Sequence, residues 1–190
     1  VISEIVQKNG LNQLTILGMQ ASCSSVMHTA KMITGSLNKI ILIEPWILSE
    51  KQISNFIELG LPEIKPEWSG GHLQQYWHMV RDSKLFWPWY NRSISGIIEG
   101  SPNLDEKQLD IEVTELIRSD LSWRETTSDL LHYPIRDSLS EIELPIIICG
   151  RSSHPLEKVY MNIEQKLENI SYFTLDHNPV NWASKISKLI

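Results

Sequence analysis

The sequence has few cysteines, no long apolar run and no excess of basic residues. Its 190 residues include two cysteines, Cys23 and Cys149, and neither has a second Cys or a paired His at the spacing of metal ligands. We therefore expect no disulfide framework, metal site or bound cofactor, and we predict a reducing compartment such as the cytoplasm. No stretch reaches the roughly 18 consecutive apolar residues of a membrane helix.

The charge balance argues against a nucleic-acid binder. Asp and Glu number 23 against 17 Lys and Arg, which gives a formal net charge of -6. Proteins that follow a nucleic-acid backbone need clustered Lys and Arg to displace counterions. We predict a small-molecule ligand or a protein partner, and neither nucleic acid nor a membrane. The apolar share of 42% and the charged share of 21% are ordinary for a globular chain.

Four short apolar runs predict β-strands, at residues 14–17, 39–44, 145–150 and 171–175. Helical periodicity follows the first run at about 26–34, separates the last two at about 156–167, and resumes at 180–190. Continuous apolar runs are typical of parallel strands that are buried on both faces. Strands that alternate with helices therefore predict the α/β class.

A long insertion separates the second predicted strand from the third. Residues 48–142 are rich in Trp and helical periodicity, which predicts a helical subdomain and leaves 1–47 and 143–190 as the core. The first strand is apolar on both faces yet has few neighbours available, and such an edge exposes unpaired backbone groups. We therefore expect that further strands, from an N-terminal segment absent from this sequence or from another chain, complete the sheet.

This order of elements resembles the C-terminal portion of the α/β-hydrolase fold superfamily. The resemblance covers essentially all of the chain, and its most specific piece is the Trp-rich string over residues 72–82 and 86–90, which is similar to a cap segment of some members. It implies a partial α/β-hydrolase fold. That fold would have about four parallel strands, flanking helices and a helical cap inserted after the second strand.

In this superfamily the nucleophile stands on a strained strand-to-helix turn with the pattern G-x-S-x-G. The matching residues here are Gly18, Met19, Gln20, Ala21 and Ser22. The small residues preserve the steric demand of the turn, but Gln20 occupies the nucleophile position. An amide is a poor nucleophile, so the resemblance implies an elbow that has kept its geometry and lost its chemistry.

The resemblance also places the acid and the base of a catalytic triad. The acid is expected in a turn after the third strand, where Ser153 stands, and a serine cannot stabilise an imidazolium by charge. The base is expected after the last strand, at His177, with Asp176 beside it as a candidate orienter. A general base and a locally hydrogen-bonded loop histidine are equally open for His177.

Other side chains have a functional and a structural interpretation. Cys23 is the one strong nucleophile near the elbow, although a buried structural cysteine is the more frequent outcome. Arg81 and Asp82 fit a functional ion pair or a solvated helix face. Met19 and four aromatic residues are predicted to line a ligand cleft between cap and core, with packing inside the cap as the alternative for the aromatics. The four are Trp77, Trp87, Trp89 and Tyr90.

Three functions fit this sequence. Our prediction is a catalytically degenerate α/β-hydrolase-fold protein that binds a small apolar ligand or a partner in the cleft. The first alternative is an active hydrolase or lyase that uses His177 as base without a serine nucleophile. The second is a structural subunit that keeps the fold for assembly alone.

Overall fold

The computed structural model describes residues 2–100, 102–177 and 179–190. The chain divides into two compact units. The first unit comprises Val1–Ile47 and Leu130–Ile190, and the second comprises Leu48–Asp129. Among the described residues, no helix has the length and the apolar character that a membrane crossing demands.

The first unit contains a four-stranded sheet. Its strands are β1 (Leu14–Met19), β2 (Leu37–Ile43), β3 (Ile146–Arg151) and β4 (Ile170–Leu175). They lie in the order β1-β2-β3-β4, and every neighbouring pair is parallel. The predicted α/β class with four parallel strands is confirmed. Because all strands are parallel, the turns that follow them lie along one edge of the sheet.

Burial differs between the central strands and the edge strand β1. Ile40, Ile41 and Leu42 of β2 are fully buried, as expected for a central parallel strand covered on both faces. In β1, Leu17 is 44% exposed and Met19 is 51% exposed. Within the described sheet β1 pairs only with β2, so its other edge has no strand beside it.

The first unit also contains helices, some of which pack on the sheet and some on a neighbouring helix. They are α1 (Ile2–Lys8), α2 (Ser22–Met32), α7 (Ile135–Glu141), α8 (Glu157–Glu164) and α9 (Trp182–Ile186). Ile41, Ile43, Cys149 and Leu175 pack with Ile186 of α9 in one buried cluster. Apolar side chains from three strands and the last helix therefore share one core.

The second unit is helical. It contains α3 (Glu50–Asn55), a π-helical turn (Phe56–Gly60), α4 (Gly71–Leu85), α5 (Glu106–Arg118) and most of α6 (Ser122–His132). Tyr76, Met79 and Val80 of α4 pack against Leu109 and Val113 of α5. Their spacing of three and four residues places them on one face of each helix, which explains the helical periodicity of this segment.

The boundary between the units differs from the one that the sequence suggested. The helical periodicity predicts residues 130–142 as part of the inserted subdomain, whereas in the structure they belong to the first unit. The reason is that α7 packs against α2, with Ile135 and Leu139 buried. Helical periodicity identifies a helix but not the surface that the helix covers.

Candidate functional site

The turn between β1 and α2 is a tight strand-to-helix crossover with Gln20 at its apex. Gln20 has a φ of 53°, in the left-handed region that non-glycine residues rarely adopt. Its backbone N–H donates to Ile43 O at 2.8 Å, and Cys23 N–H donates to Gln20 O at 3.1 Å. These bonds anchor the strained residue to β2 and to α2, as a conformation of this kind requires.

Two small residues make the turn possible. A Cβ atom on Gly18 would lie 2.8 Å from Val26 Cγ2 and 3.0 Å from the Cα of Cys23, so α2 approaches β1 too closely for a side chain. Ser22 Oγ accepts a hydrogen bond from Met19 N–H at 2.9 Å and donates to Met19 O at 2.7 Å. Ser22 thus closes the turn onto the end of β1.

Gln20 and Met19 present exposed side chains at the apex of the elbow. The side chain of Gln20 is exposed, and its amide has no hydrogen-bond partner among the described residues. Met19, the predicted ligand contact beside it, is also exposed. An amide and a thioether can contact a ligand, but neither can form an acyl-enzyme.

A histidine lies at the same edge of the sheet, after β4. Ser152 Oγ is 3.0 Å from His177 Nε2, within hydrogen-bond distance. Ser153, the predicted residue at the acid position, is exposed, and its backbone N–H donates to Glu157 Oε2 at 2.9 Å. Ser153 has a φ of 64°, so the chain turns left-handed there, and it is Ser152 that reaches the imidazole.

No carboxylate orients the imidazole of His177 among the described residues. Its Nδ1 atom is buried and has no hydrogen-bond partner in that part of the chain. Asp176 Oδ1 accepts a hydrogen bond from Lys185 Nζ at 2.8 Å, and Trp182 Nε1 donates to Asp176 O at 2.8 Å. The adjacent carboxylate is therefore occupied by a lysine and does not serve His177.

Comparison with known proteins adds information on the fold. No family model and no curated protein matches the sequence. A carboxylesterase structure from the thaumarchaeon Nitrososphaera gargenis matches with a TM-score of 0.65 and 11% identity, over 99% of this chain and 68% of that one. A hydrolase from Oleispira antarctica matches with a TM-score of 0.60 and 11% identity, over 92% and 60%. A variant of the haloalkane dehalogenase DatA from Agrobacterium tumefaciens matches with a TM-score of 0.61 and 9% identity, over 99% and 68%.

The chain has the α/β-hydrolase fold. The predicted resemblance and the predicted partial fold are confirmed by these likenesses and by the parallel sheet. The chain spans between 60% and 68% of the length of the three structures. At this level of identity the likeness concerns the fold alone. Activity depends on the residues of the site, because one fold can serve many functions.

In this α/β-hydrolase fold a buried ion pair joins the ends of β2 and β3. Glu44 follows β2, is 1% exposed and has a φ of 46°. Its two carboxylate oxygens accept bonds from Arg151 Nε at 2.5 Å and Nη2 at 2.9 Å. The Arg151 guanidinium also lies over the ring of Trp182, 5.6 Å from its centroid. Arg151 directly precedes Ser152, and Trp182 donates a hydrogen bond to the carbonyl of Asp176, which directly precedes His177. The ion pair of Glu44 and Arg151 therefore supports both residues of the serine–histidine contact.

A second histidine, His154, lies in the same turn and is buried. Its Nδ1 accepts a hydrogen bond from Leu156 N–H at 3.1 Å, and its ring stacks on Tyr160 with 5.9 Å between centroids. Burial lowers the pKa of His154 to about 4, so the imidazole is neutral near pH 7. His154 therefore acts as a packed neutral group inside the α/β-hydrolase fold.

Cys23 has the properties of a structural residue. It is fully buried beside the elbow, and its Sγ lies 3.7 Å from Ile43 O. Burial raises the pKa of the thiol to about 12. Since the thiolate is the nucleophilic form, the buried thiol of Cys23 has little nucleophilic character near pH 7.

The four aromatic residues that were predicted to contact a ligand lie in the second unit and are half-buried. They are Trp77, Trp87, Trp89 and Tyr90. Trp77 and Trp89 pack against the core of α4 and α5, and Trp89 Nε1 donates to Gly60 O at 2.9 Å. Tyr90 meets Phe56 edge to face with 5.9 Å between ring centroids. These contacts are those of a packed helical core, and a role in ligand binding stays a prediction.

Proposed function

We propose that this α/β-hydrolase-fold protein has a degenerate catalytic triad and binds a small apolar ligand or a protein partner at the carboxyl edge of its sheet. The conformation of Gln20 is the observation that carries the proposal. Gln20 is the residue at the apex of the elbow and has a strained φ of 53°, and its exposed side chain is an amide. Such a side chain supplies hydrogen bonds to a ligand but forms no covalent intermediate.

A second candidate function rests on the contact between Ser152 and His177. An imidazole that lies 3.0 Å from a hydroxyl is oriented, and it can take a proton from water or from a substrate. The second candidate is therefore a hydrolase or lyase that acts on an ester or a similar small substrate, with His177 as base. It would work without the carboxylate that stabilises an imidazolium in a complete triad.

Active-site labelling separates the two candidates. Full-length protein would be treated with a fluorophosphonate probe and with p-nitrophenyl butyrate, and labelled residues would be mapped by mass spectrometry. We expect neither labelling nor turnover for the wild type, and labelling at position 20 for Gln20→Ser, because the elbow conformation is already in place. The matched control, Gln20→Asn, keeps an amide at the apex and should remain unlabelled.

The opposite results would overturn the proposal. Turnover by the wild-type protein that disappears in His177→Ala would favour the second candidate. Labelling of Ser152 in the wild type would favour a serine–histidine pair as the reactive group. A folded Gln20→Ser variant without labelling would contradict a preserved elbow.

Ligand binding at the elbow can be tested through Met19. This side chain is 51% exposed beside Gln20, and the matched control Met32, at the end of α2, is 58% exposed. We expect Met19→Asp to weaken binding of the apolar probe 1-anilinonaphthalene-8-sulfonate by about fivefold to tenfold, because one apolar contact is worth about 1 kcal/mol. Equal binding to Met19→Asp and to Met32→Asp would contradict a site at the elbow.

A further part of the proposal concerns the free edge of β1. Among the residues that the structure describes, its N–H and C=O groups pair with β2 and with no strand on the other side, and Leu17 is 44% exposed. We propose that a chain segment outside the described sheet, from this protein or from a partner, pairs with β1. In hydrogen exchange of the full-length protein, all β1 amides should then be protected as well as those of β2. Protection of alternate β1 amides alone would indicate an open edge.

The cysteines bear on the compartment. Cys23 and Cys149 are both free and buried, and burial raises the pKa of each thiol to about 12. We propose a reducing compartment such as the cytoplasm, where unpaired thiols are the rule. Fractionation of cells that express the tagged full-length protein tests this, and recovery outside the cell would contradict it.

A further inference from the structure

A buried carboxylate in the second unit contacts two arginines. Asp82 lies near the end of α4 and is 1% exposed. Arg81 Nε and Nη2 donate to Asp82 Oδ1 at 2.9 and 2.6 Å. Arg92 Nη2 lies 2.7 Å from Oδ2, in an ionic contact that lacks hydrogen-bond geometry. Because a buried carboxylate is costly without partners, these two contacts explain how Asp82 is accommodated.

The position of Arg92 is fixed by the loop that carries it. Residues 86–98 leave the end of α4 and return to it. Trp87 N–H donates to Gly96 O at 2.7 Å, and Ile98 N–H donates to Leu85 O at 2.8 Å. Both ends of the loop are therefore tied together, and Asp82 holds Arg92 in the middle. A guanidinium that is already ordered loses little freedom when it binds a ligand.

The two arginines carry more positive charge than is required to neutralise the carboxylate of Asp82. Two guanidiniums face one carboxylate, which leaves one positive charge in a chain whose formal net charge is -6. The side chain of Arg81 is 41% exposed and that of Arg92 is 58% exposed, whereas that of Asp82 is 2% exposed. Within the described residues neither guanidinium is bonded to a second carboxylate. Each has N–H donors beyond those that face Asp82.

We propose that Arg81 and Arg92 bind the carboxylate group of a small-molecule ligand, with Asp82 as the residue that positions both guanidiniums. The planar fork of a guanidinium matches the two oxygens of a carboxylate, and the bonds are charge-assisted. One carboxylate neutralises the single excess charge, whereas a phosphate dianion would exceed it beside Asp82. This site lies within the second unit and is independent of the function proposed for the elbow.

Arginine side-chain NMR tests the site directly. Sodium benzoate would be titrated into the ¹⁵N-labelled full-length protein at an ionic strength held constant with chloride, and the Nε–Hε signals would be followed. We expect saturable shifts for Arg81 and Arg92 and none for Arg118, an exposed arginine on α5 that pairs with Glu115. In Arg92→Gln the affinity should fall about tenfold or more, since a charge-assisted pair is lost, whereas Arg118→Gln should bind as the wild type does.

Several results would overturn the proposal. If chloride alone shifts the Arg81 and Arg92 signals in the same way, the shifts reflect general screening of charge and not a binding site. Inorganic phosphate that saturates the same signals more tightly than benzoate would exclude a carboxylate preference. Arg92→Lys keeps the charge and loses the planar fork, so equal affinity in this variant would refute bidentate recognition. If Arg92→Gln proves unfolded, the wild-type titration and Arg92→Lys still decide the question.

Discussion

The elbow between β1 and α2 and the turns that follow β3 and β4 lie at the same edge of one sheet, yet different interactions hold them. At the elbow, Gly18 leaves room for α2, and backbone hydrogen bonds fix Gln20. After β3, the supporting groups are the buried pair of Glu44 and Arg151 and the buried imidazole of His154.

This difference separates the shape of the elbow from the identity of the side chain at its apex. The conformation of Gln20 depends on backbone groups and on the missing side chain at Gly18, so the apex side chain can change without loss of the turn. The turns after β3 and β4 depend on side-chain charge and protonation. We therefore expect the stability of the second region to respond to pH and to charge removal, and that of the elbow to respond to added volume.

The largest expected effect concerns the buried ion pair. Glu44→Gln removes the charge that faces Arg151, which is 13% exposed, and leaves a largely buried guanidinium uncompensated. We expect a loss of about 4 kcal/mol in the free energy of unfolding, measured by urea denaturation. The exposed pair of Glu115 and Arg118 is the matched control, and Glu115→Gln should change stability little. If both variants lose only a little stability, the buried charge pair does not stabilise the turn after β3.

The next effect is a pH dependence that arises from His154. Its pKa is lowered from 6.5 to about 4 in the folded protein, so between these values the unfolded chain binds a proton that the folded chain excludes. The neutral imidazole of His154 therefore contributes to the free energy of unfolding. This contribution is complete above pH 6.5 and is lost as the pH falls toward 4, by about 3 kcal/mol in total.

Two variants test this pH dependence. His154→Asn retains a hydrogen-bond acceptor for Leu156 N–H and cannot take up a proton. Denaturation would be measured at pH 7 and at pH 4. Between these values the free energy of unfolding should fall by about 3 kcal/mol less in this variant than in the wild type. His78→Asn, at an exposed histidine of α4, should retain the full loss. An unchanged acid response in His154→Asn would mean that other groups control it.

The smallest of the three effects is steric and concerns the elbow. Gly18→Ala places a Cβ atom 2.8 Å from Val26 Cγ2 and 3.0 Å from the Cα of Cys23. We expect a loss of about 2 kcal/mol that does not vary with pH, since no charge is involved. Gly35→Ala is the control because its Cβ would meet nothing within 4 Å. If the two variants are equally stable, close packing does not hold the elbow.

Much of the fold was predictable from local patterns. The four apolar runs predicted strands that the structure contains with shifts of one or two residues at their ends. Glu44 shows the limit of such patterns. It was predicted as the last residue of a strand, but it lies beyond β2 in a left-handed conformation and is buried against Arg151. A buried glutamate is rare, so no local signal indicates one.

The candidate site was predictable in part. The superfamily pattern pointed to Gln20 and to His177, since both follow strands whose order along the chain is known. The pattern places Ser153 at the acid position but does not reveal its φ of 64°, and in the structure it is Ser152 that lies within hydrogen-bond distance of His177. The aromatic residues of the second unit were visible as a cluster in the sequence, but their contacts with Gly60 and Phe56 were not.

The sequence by itself determined the parallel α/β class and the small residues that a tight elbow needs, because burial on both faces and close approach leave local traces in residue type. The tertiary structure alone decided which hydroxyl meets His177, that Asp176 pairs with Lys185, and that Glu44 meets Arg151 across 107 positions of chain. These contacts depend on how separate turns meet at one edge of the sheet. Residue type and spacing do not encode that arrangement.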